Sequence, residues 1–242
     1  MVELASVEAA APPQTVLELR EVTLLPRAPR QFALRELTLT LRAGELALLR
    51  LEPGRESLPL AAAAQGLHPA DHGTIRFDGH PWTEDDPWNE AHRRGQIGRV
   101  FEGWGWVSNL TVLENVLLRE HHHTTRPDAE ILAEADRWAQ RFGLERVPRG
   151  RPAFLPAVDL RRCEWVRALL GRPRLLLLER PEWGAPSESV PAFVEAVDEV
   201  RRQGTAVLWM TGDAAIWRRA HPGRVERFEL LRERVQPAGD AP

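Results

Sequence analysis

The chain has 242 residues, 43% of them apolar and 28% charged, enough for one large α/β domain or two small ones with a sizeable core. A formal net charge of −3 offers no general attraction to nucleic acid, and the single cysteine, Cys163, excludes an internal disulfide and points to a reducing compartment. No apolar run approaches the roughly 20 residues needed to span a bilayer, so any membrane role is peripheral.

Residues 1–15 carry two glutamates and Pro12–Pro13 but no apolar signal-peptide core, and are expected to form a disordered leader. Val16–Val22 and Ala33–Leu41 alternate apolar and polar residues, which predicts two strands of an antiparallel layer joined by the proline-containing turn Pro26–Arg30. Leu46–Leu51 is an apolar run interrupted by Arg50, a buried strand. A short Ala-rich helix is predicted over Leu60–Gly66 and strands over Thr74–Phe77 and Ile97–Phe101. Helical periodicity occupies Thr111–Glu120, Asp128–Phe142 and Asp159–Gly171. The buried strand Leu175–Leu178, the helix Val190–Gln203 and the strand Thr205–Met210 follow, and Val225–Val235 closes the chain with one or two more strands. The alternation implies an α/β fold, a parallel sheet with helices on both faces, an antiparallel β layer and a mostly helical segment over about 103–170.

Ala43–Gly79 has the layout of a phosphate-binding P-loop unit: strand, turn, short helix, strand. Such a loop needs a lysine on the β- and γ-phosphates and a hydroxyl residue on Mg²⁺. This chain contains no lysine; all 32 of its basic residues are arginine. The phrases RAGELALL (42–49), HGTIRFDG (72–79), IGRVF (97–101), NLTVLENV (109–116) and RALLGRPRLLLLERP (167–181) stand in order along nearly the whole length. On these the chain resembles the ATP-binding subunit of an ABC transporter, which implies a P-loop NTPase core for residues 16–242 as a single domain.

Each position at which that family handles nucleotide departs from its pattern. The loop reads Leu51-Glu52-Pro53-Gly54-Arg55-Glu56-Ser57-Leu58-Pro59, so Gly54 alone remains of its glycines. Pro53 removes an N–H donor, and Glu52 and Glu56 bring carboxylates to a place for an anion. By the resemblance, Ser57 takes the lysine position and Leu58 that of the Mg²⁺-binding hydroxyl residue. Ser57 is expected to cap the following helix, with Pro59 in its first turn. Glu102 corresponds to the Q-loop glutamine, Leu155–Asp159 to the signature, and Trp183–Pro186 to the D-loop. Glu179 corresponds to the Walker B aspartate, Arg180 to the catalytic glutamate, and Gly212 to the switch histidine. Arginine in place of the glutamate cannot act as a general base at neutral pH.

The resemblance thus implies a catalytically inactive ABC-type subunit with a structural or regulatory role in a membrane transport complex. No cofactor or metal is expected. The alternative is a subunit that binds ATP and Mg²⁺ weakly and powers transport with a partner completing the site. Implied partners are a transmembrane permease subunit and a homodimer or second ABC ATPase, with no nucleic acid. The implied location is cytoplasmic, peripheral on the inner face of the membrane. The phrase LREH (118–121) resembles the Mce- or Mla-like phospholipid transport ATPases and motivates lipid transport. Trp82, Trp88, Trp104 and Trp106, with Glu102, fall where the family docks its permease; ordinary packing is the other reading of the tryptophans. His121–His123 reads as a solvated loop rather than a metal site. Arg161, Arg162 and Arg167 read as a salt-bridged face, Arg50 and Arg55 as candidates for another anion, and Cys163 as inert packing.

Overall fold

The computed structural model describes residues 14–54, 57–82, 86–103 and 105–238. Its strands are β1 (Thr15–Leu24), β2 (Leu34–Arg42), β3 (Leu46–Arg50), β4 (His72–Phe77), β5 (His80–Pro81), β6 (Ile97–Val100), β7 (Leu175–Glu179), β8 (Ala206–Thr211), β9 (Val225–Leu231) and β10 (Arg234–Pro237). Its helices are α1 (Leu60–Ala64), α2 (Pro87–Arg94), α3 (Val112–His123), α4 (Asp128–Arg141), α5 (Ala157–Leu169), α6 (Val190–Arg202) and α7 (Ala214–Arg218). β1 begins at Thr15, and the Gln14 amide donates to Asp78, so the ordered fold starts before residue 16. The rest of the expected leader, residues 1–13, lies outside the described residues.

The strands run in the order β5-β4-β1-β2-β10-β9-β3-β8-β7-β6. The segment β9-β3-β8-β7-β6 is parallel, and β5, β4, β1 and β2 are antiparallel. Side chains alternate across the parallel segment. Leu46, Leu48, Leu176, Leu178, Val207 and Trp209 meet α3 to α6, around an aromatic cluster in which Phe193 stacks on Trp165 and meets Trp209 edge-on. Ala47, Leu49, Leu175, Leu177, Leu208 and Met210 face α1 and the antiparallel strands. Helices therefore lie on both faces, as expected, but unequally. α1 has only five residues and cannot cover a face alone, so the apolar sides of β1, β2 and β4 complete that layer.

The helical segment belongs to the same core. Val112, Val116, Ile131, Ala135 and Phe142 join the apolar cluster of the central strands. α5 lies close against β6 because Gly98 has no side chain; a Cβ there would stand 2.0 Å from the carbonyl oxygen of Ala168. Among the described residues, no helix is long and apolar enough to cross a membrane.

Candidate functional site

β3 delivers the chain to the loop before α1, and the Leu51 N–H donates to the Thr211 carbonyl at 2.9 Å to set the strand end. Arg50 turns outward, 3.1 Å from Glu229 and over the Trp217 ring. It is thereby engaged rather than available as an anion ligand; Arg55 and Glu56 lie outside the described residues. The Glu52 carboxylate accepts from the Arg232 N–H at 3.1 Å. Ser57 offers its carbonyl to the Phe32 N–H at 3.0 Å, and Leu58 is 4% exposed within the apolar cluster under α1. The expected Ser57 cap is absent. Pro59 is the N-cap residue, its carbonyl receiving the Ala63 N–H at 3.0 Å, and no side chain caps the helix. The turn begins too late for Ser57 to reach the first free N–H groups.

At the ends of β6 and β7 two charged side chains meet. Arg99 Nε donates to Glu179 Oε1 at 2.6 Å, and Arg99 Nη1 to Gln65 Oε1, just past α1, at 3.2 Å. The guanidinium lies 4.4 Å from the Phe101 ring centroid. Burial holds the Glu179 carboxyl above the usual carboxylate range; Arg99 opposes that shift, and the charge of Glu102 adds to it. Ser57, Leu58, Arg99, Glu102 and Glu179 line one cavity of about 250 Å³. Arg99 and Gln65 were missed in the sequence. The available signal was a lone charge in a strand otherwise made of Ile97, Gly98 and Val100, which requires a partner once buried.

Across the strand ends lies a second cavity of about 470 Å³, which brings together Glu52, Arg180, Glu182, Trp183 and Gly212. Arg180 has a left-handed backbone (φ 48°), and its guanidinium lies over the Trp183 ring at 5.5 Å. Glu182, also unforeseen, accepts from Thr211 Oγ1 at 2.5 Å and Trp209 Nε1 at 3.3 Å. Burial raises its pKa against those hydrogen bonds. Asp213 caps α7, accepting from the Ala215 and Ile216 N–H groups. Nothing lies within 4 Å of a Cβ built on Gly212, so there is room for a side chain there.

The stretch Leu155–Asp159 leads into α5 with Pro156 as the N-cap residue and no side-chain cap. Arg162 pairs with Asp159 at 3.2 Å and donates to Ser189, as expected of a salt-bridged face. Arg161 is salt-bridged too, but inside the protein, and Arg167 is turned to a backbone carbonyl and two rings, because α5 is enclosed between the sheet and its neighbouring helices. Arg161 is buried against Glu164 at 2.6 Å, and burial pushes the Glu164 carboxyl up to about 7. Arg167 donates to the Gly105 carbonyl and lies over the Phe101 and Trp106 rings.

The tryptophans divide. Trp82 is 7% exposed, stacks on Phe77 at 5.7 Å and donates from Nε1 to the Ala64 carbonyl at 3.2 Å, so it takes the packing role. Trp88, on α2, is 83% exposed. Trp106 is half-buried against the helical core, and Trp104 lies outside the described residues. A groove of about 330 Å³ runs beside Trp106 between β6 and α3, walled by Arg99, Phe101, Gly105, Leu118, Arg119 and Arg167 among others. His121–His123 form the last residues of α3 and not a loop, because helical hydrogen bonding continues until the Thr124 N–H meets the Glu120 carbonyl. Among the described residues, no group of three or more His, Cys, Asp or Glu can hold a metal ion.

A family model described as ABC transporter matches residues 34–182. The chain is 30% identical over 213 residues to the nickel import ATP-binding protein NikE of Rhodospirillum rubrum, covering 86% of this chain and 74% of that protein. It is 28% identical over 199 residues to the ribose import ATP-binding protein RbsA of Rhodopirellula baltica, covering 81% of this chain and spanning only 38% of that relative's length. A solved dimeric ATP-binding cassette, bound to ADP and Pi in a post-hydrolysis state, has the same fold. It superposes with a TM-score of 0.78 at 21% identity, over 91% of this chain and 96% of that one.

Proposed function

The chain belongs to the ABC transporter family, and on that premise we propose that it is a catalytically inactive ATP-binding-type subunit acting by protein contact in a membrane transport complex. The observation that carries this reading is the ion pair of Glu179 with Arg99 beside a buried Leu58. Mg-ATP requires a cation and a row of N–H donors on its phosphates, and oxygen ligands on its metal. Here the candidate metal-side carboxylate is already neutralised by a guanidinium, and the residue at the hydroxyl position is packed in the core. The N-cap residue of the helix behind the loop is Pro59, which has no N–H to offer. In this reading Arg180 takes the position of the water-polarising carboxylate, a role a guanidinium cannot fill. These residues do not fit Mg-ATP.

The partner in this reading is a transmembrane permease subunit, with a second cassette, identical or different, beside it. The subunit would sit peripherally on the inner face of the membrane. Trp88 on α2 and the groove beside Trp106 supply exposed aromatic and apolar surface for such contacts. The phrase LREH is accounted for without a lipid. Arg119 donates to the Leu170 carbonyl, and Glu120 pairs with Arg126 at 2.9 Å, a buried network joining α3 to α5.

Calorimetric titration of the protein with Mg-ATP tests the reading. The expected result is no binding heat and no phosphate release above background. A micromolar affinity refutes it, and binding that arises only when a second cassette subunit is added favours the weak-binding alternative.

A further inference from the structure

We infer that the Arg99 guanidinium is a built-in cation at Glu179, holding the cavity behind Ser57 and the adjoining groove in one arrangement whether or not Mg-ATP is present. The inference rests on the reading that this site does not take nucleotide, and it goes further by naming what stands in the nucleotide's place.

Two carboxylates, Glu179 and Glu102, border one small cavity, and the charge of Glu102 acts on Glu179. Without a counter-cation the pair would be a source of strain, because two like charges in a partly desolvated cavity repel strongly. In a nucleotide-loaded site, a divalent cation carried by the phosphates can offset such charge. In this chain the counter-charge is covalently part of β6. Arg99 reaches Glu179 with both side chains about nine-tenths buried, at 11% and 10% exposure. The same guanidinium ties down Gln65, the residue that ends α1, and lies over Phe101. A cation attached to the chain is not lost on dilution or chelation.

The position of Arg99 extends its effect. Arg99, Phe101 and Gly105 wall both the cavity of about 250 Å³ and the groove of about 330 Å³. One side chain therefore joins the end of β7, the end of α1 and the groove wall into a single ion-paired unit. A partner docked in that groove would meet a surface whose shape is set by this pair and not by a bound ligand.

Three proteins test this: the full-length wild type, Arg99→Ala, and Arg99→Ala/Glu179→Ala. Each is followed by thermal melting and by hydrogen exchange over α1 and residues 101–107. The wild type should show the same Tm and exchange in EDTA, in millimolar Mn²⁺ and in millimolar Mg-ATP. Arg99→Ala should lose several degrees in Tm, exchange faster at α1 and residues 101–107, and regain part of both in Mn²⁺. The double variant, which removes both charges, should recover most of the lost Tm and ignore Mn²⁺. If Arg99→Ala does not fold, recovery in the double variant still supports the inference, and equal failure of both overturns it. An Arg99→Ala protein with unchanged Tm and exchange, or one that no divalent cation rescues, also overturns it. Wild-type binding of Mg-ATP would refute the underlying reading. A wild type indifferent to Mg-ATP beside an unperturbed Arg99→Ala would remove the role of Arg99 alone.

Discussion

Trp82 and Trp88 lie six residues apart in the sequence, and the structure assigns them opposite consequences. Trp82→Ala removes a side chain that stacks on Phe77, fills the space over Gly66 and satisfies the Ala64 carbonyl. Truncating a buried Trp costs about 3–5 kcal/mol, and leaving a buried carbonyl without its donor adds to that. In a domain of this size each kcal/mol moves Tm by about 2–4 °C, so a loss of about 10 °C or more is expected. Trp88→Ala deletes an 83% exposed ring and should stay within about 0.5 kcal/mol of wild type. Urea denaturation followed by circular dichroism measures both, with the slope checked for two-state behaviour. Equal stability of the two variants would refute the division into a packed and a free tryptophan. So would a Trp82→Ala loss under about 1 kcal/mol.

Two further outcomes follow from buried ionisable groups on α5. Burial raises the Glu164 carboxyl from 4.5 to about 7, so the folded state binds its proton more tightly than the unfolded chain. The stabilisation from that proton is complete below the unfolded value and is lost as pH rises from about 4.5 to about 7, a change of about 3 kcal/mol. Glu164→Gln should remove this component. Denaturation at pH 5 and pH 8 should therefore show a smaller fall in the variant than in wild type, and parallel falls would contradict the assignment. Cys163 is buried and its thiol is pushed from 9.0 up to about 12, which leaves about a thousandfold less thiolate at a given pH. Iodoacetamide at mildly alkaline pH should label the urea-unfolded chain readily and spare the native one; native labelling at the rate of a free thiol would show that the site opens.

The order of strands and helices was legible because it is written in local periodicity. Val16–Val22 alternates and β1 runs Thr15–Leu24; the Asp128–Phe142 pattern became α4 almost to the residue. The residue types at 57, 58, 179, 180 and 212 are likewise read from the sequence, and their correspondence to nucleotide-handling positions is part of the proposal, set by the phrases on either side. α2 and β5 were not foreseen, because the Pro- and Trp-rich stretch around residues 80–90 has neither period. The His121–His123 run was misplaced in a loop because composition says little about where helical hydrogen bonds stop.

What the sequence determined by itself was which chemical groups stand in the loop before α1 and at the strand ends: no lysine, Glu179 at the end of β7 and Arg180 directly after it. What only the tertiary structure decided was which of those groups meet. Arg99 and Glu179 are 80 residues apart, and nothing in either neighbourhood announces the other. β6 and β7 are parallel neighbours, with Arg99 opposite Leu177, two residues before Glu179, so long-range strand pairing brings the charges within reach. A charge buried beside an apolar core must be matched, and the match is available only once the sheet has assembled. The missing lysine is thus a fact of composition, whereas the arginine that occupies the carboxylate nearby is a fact of the fold.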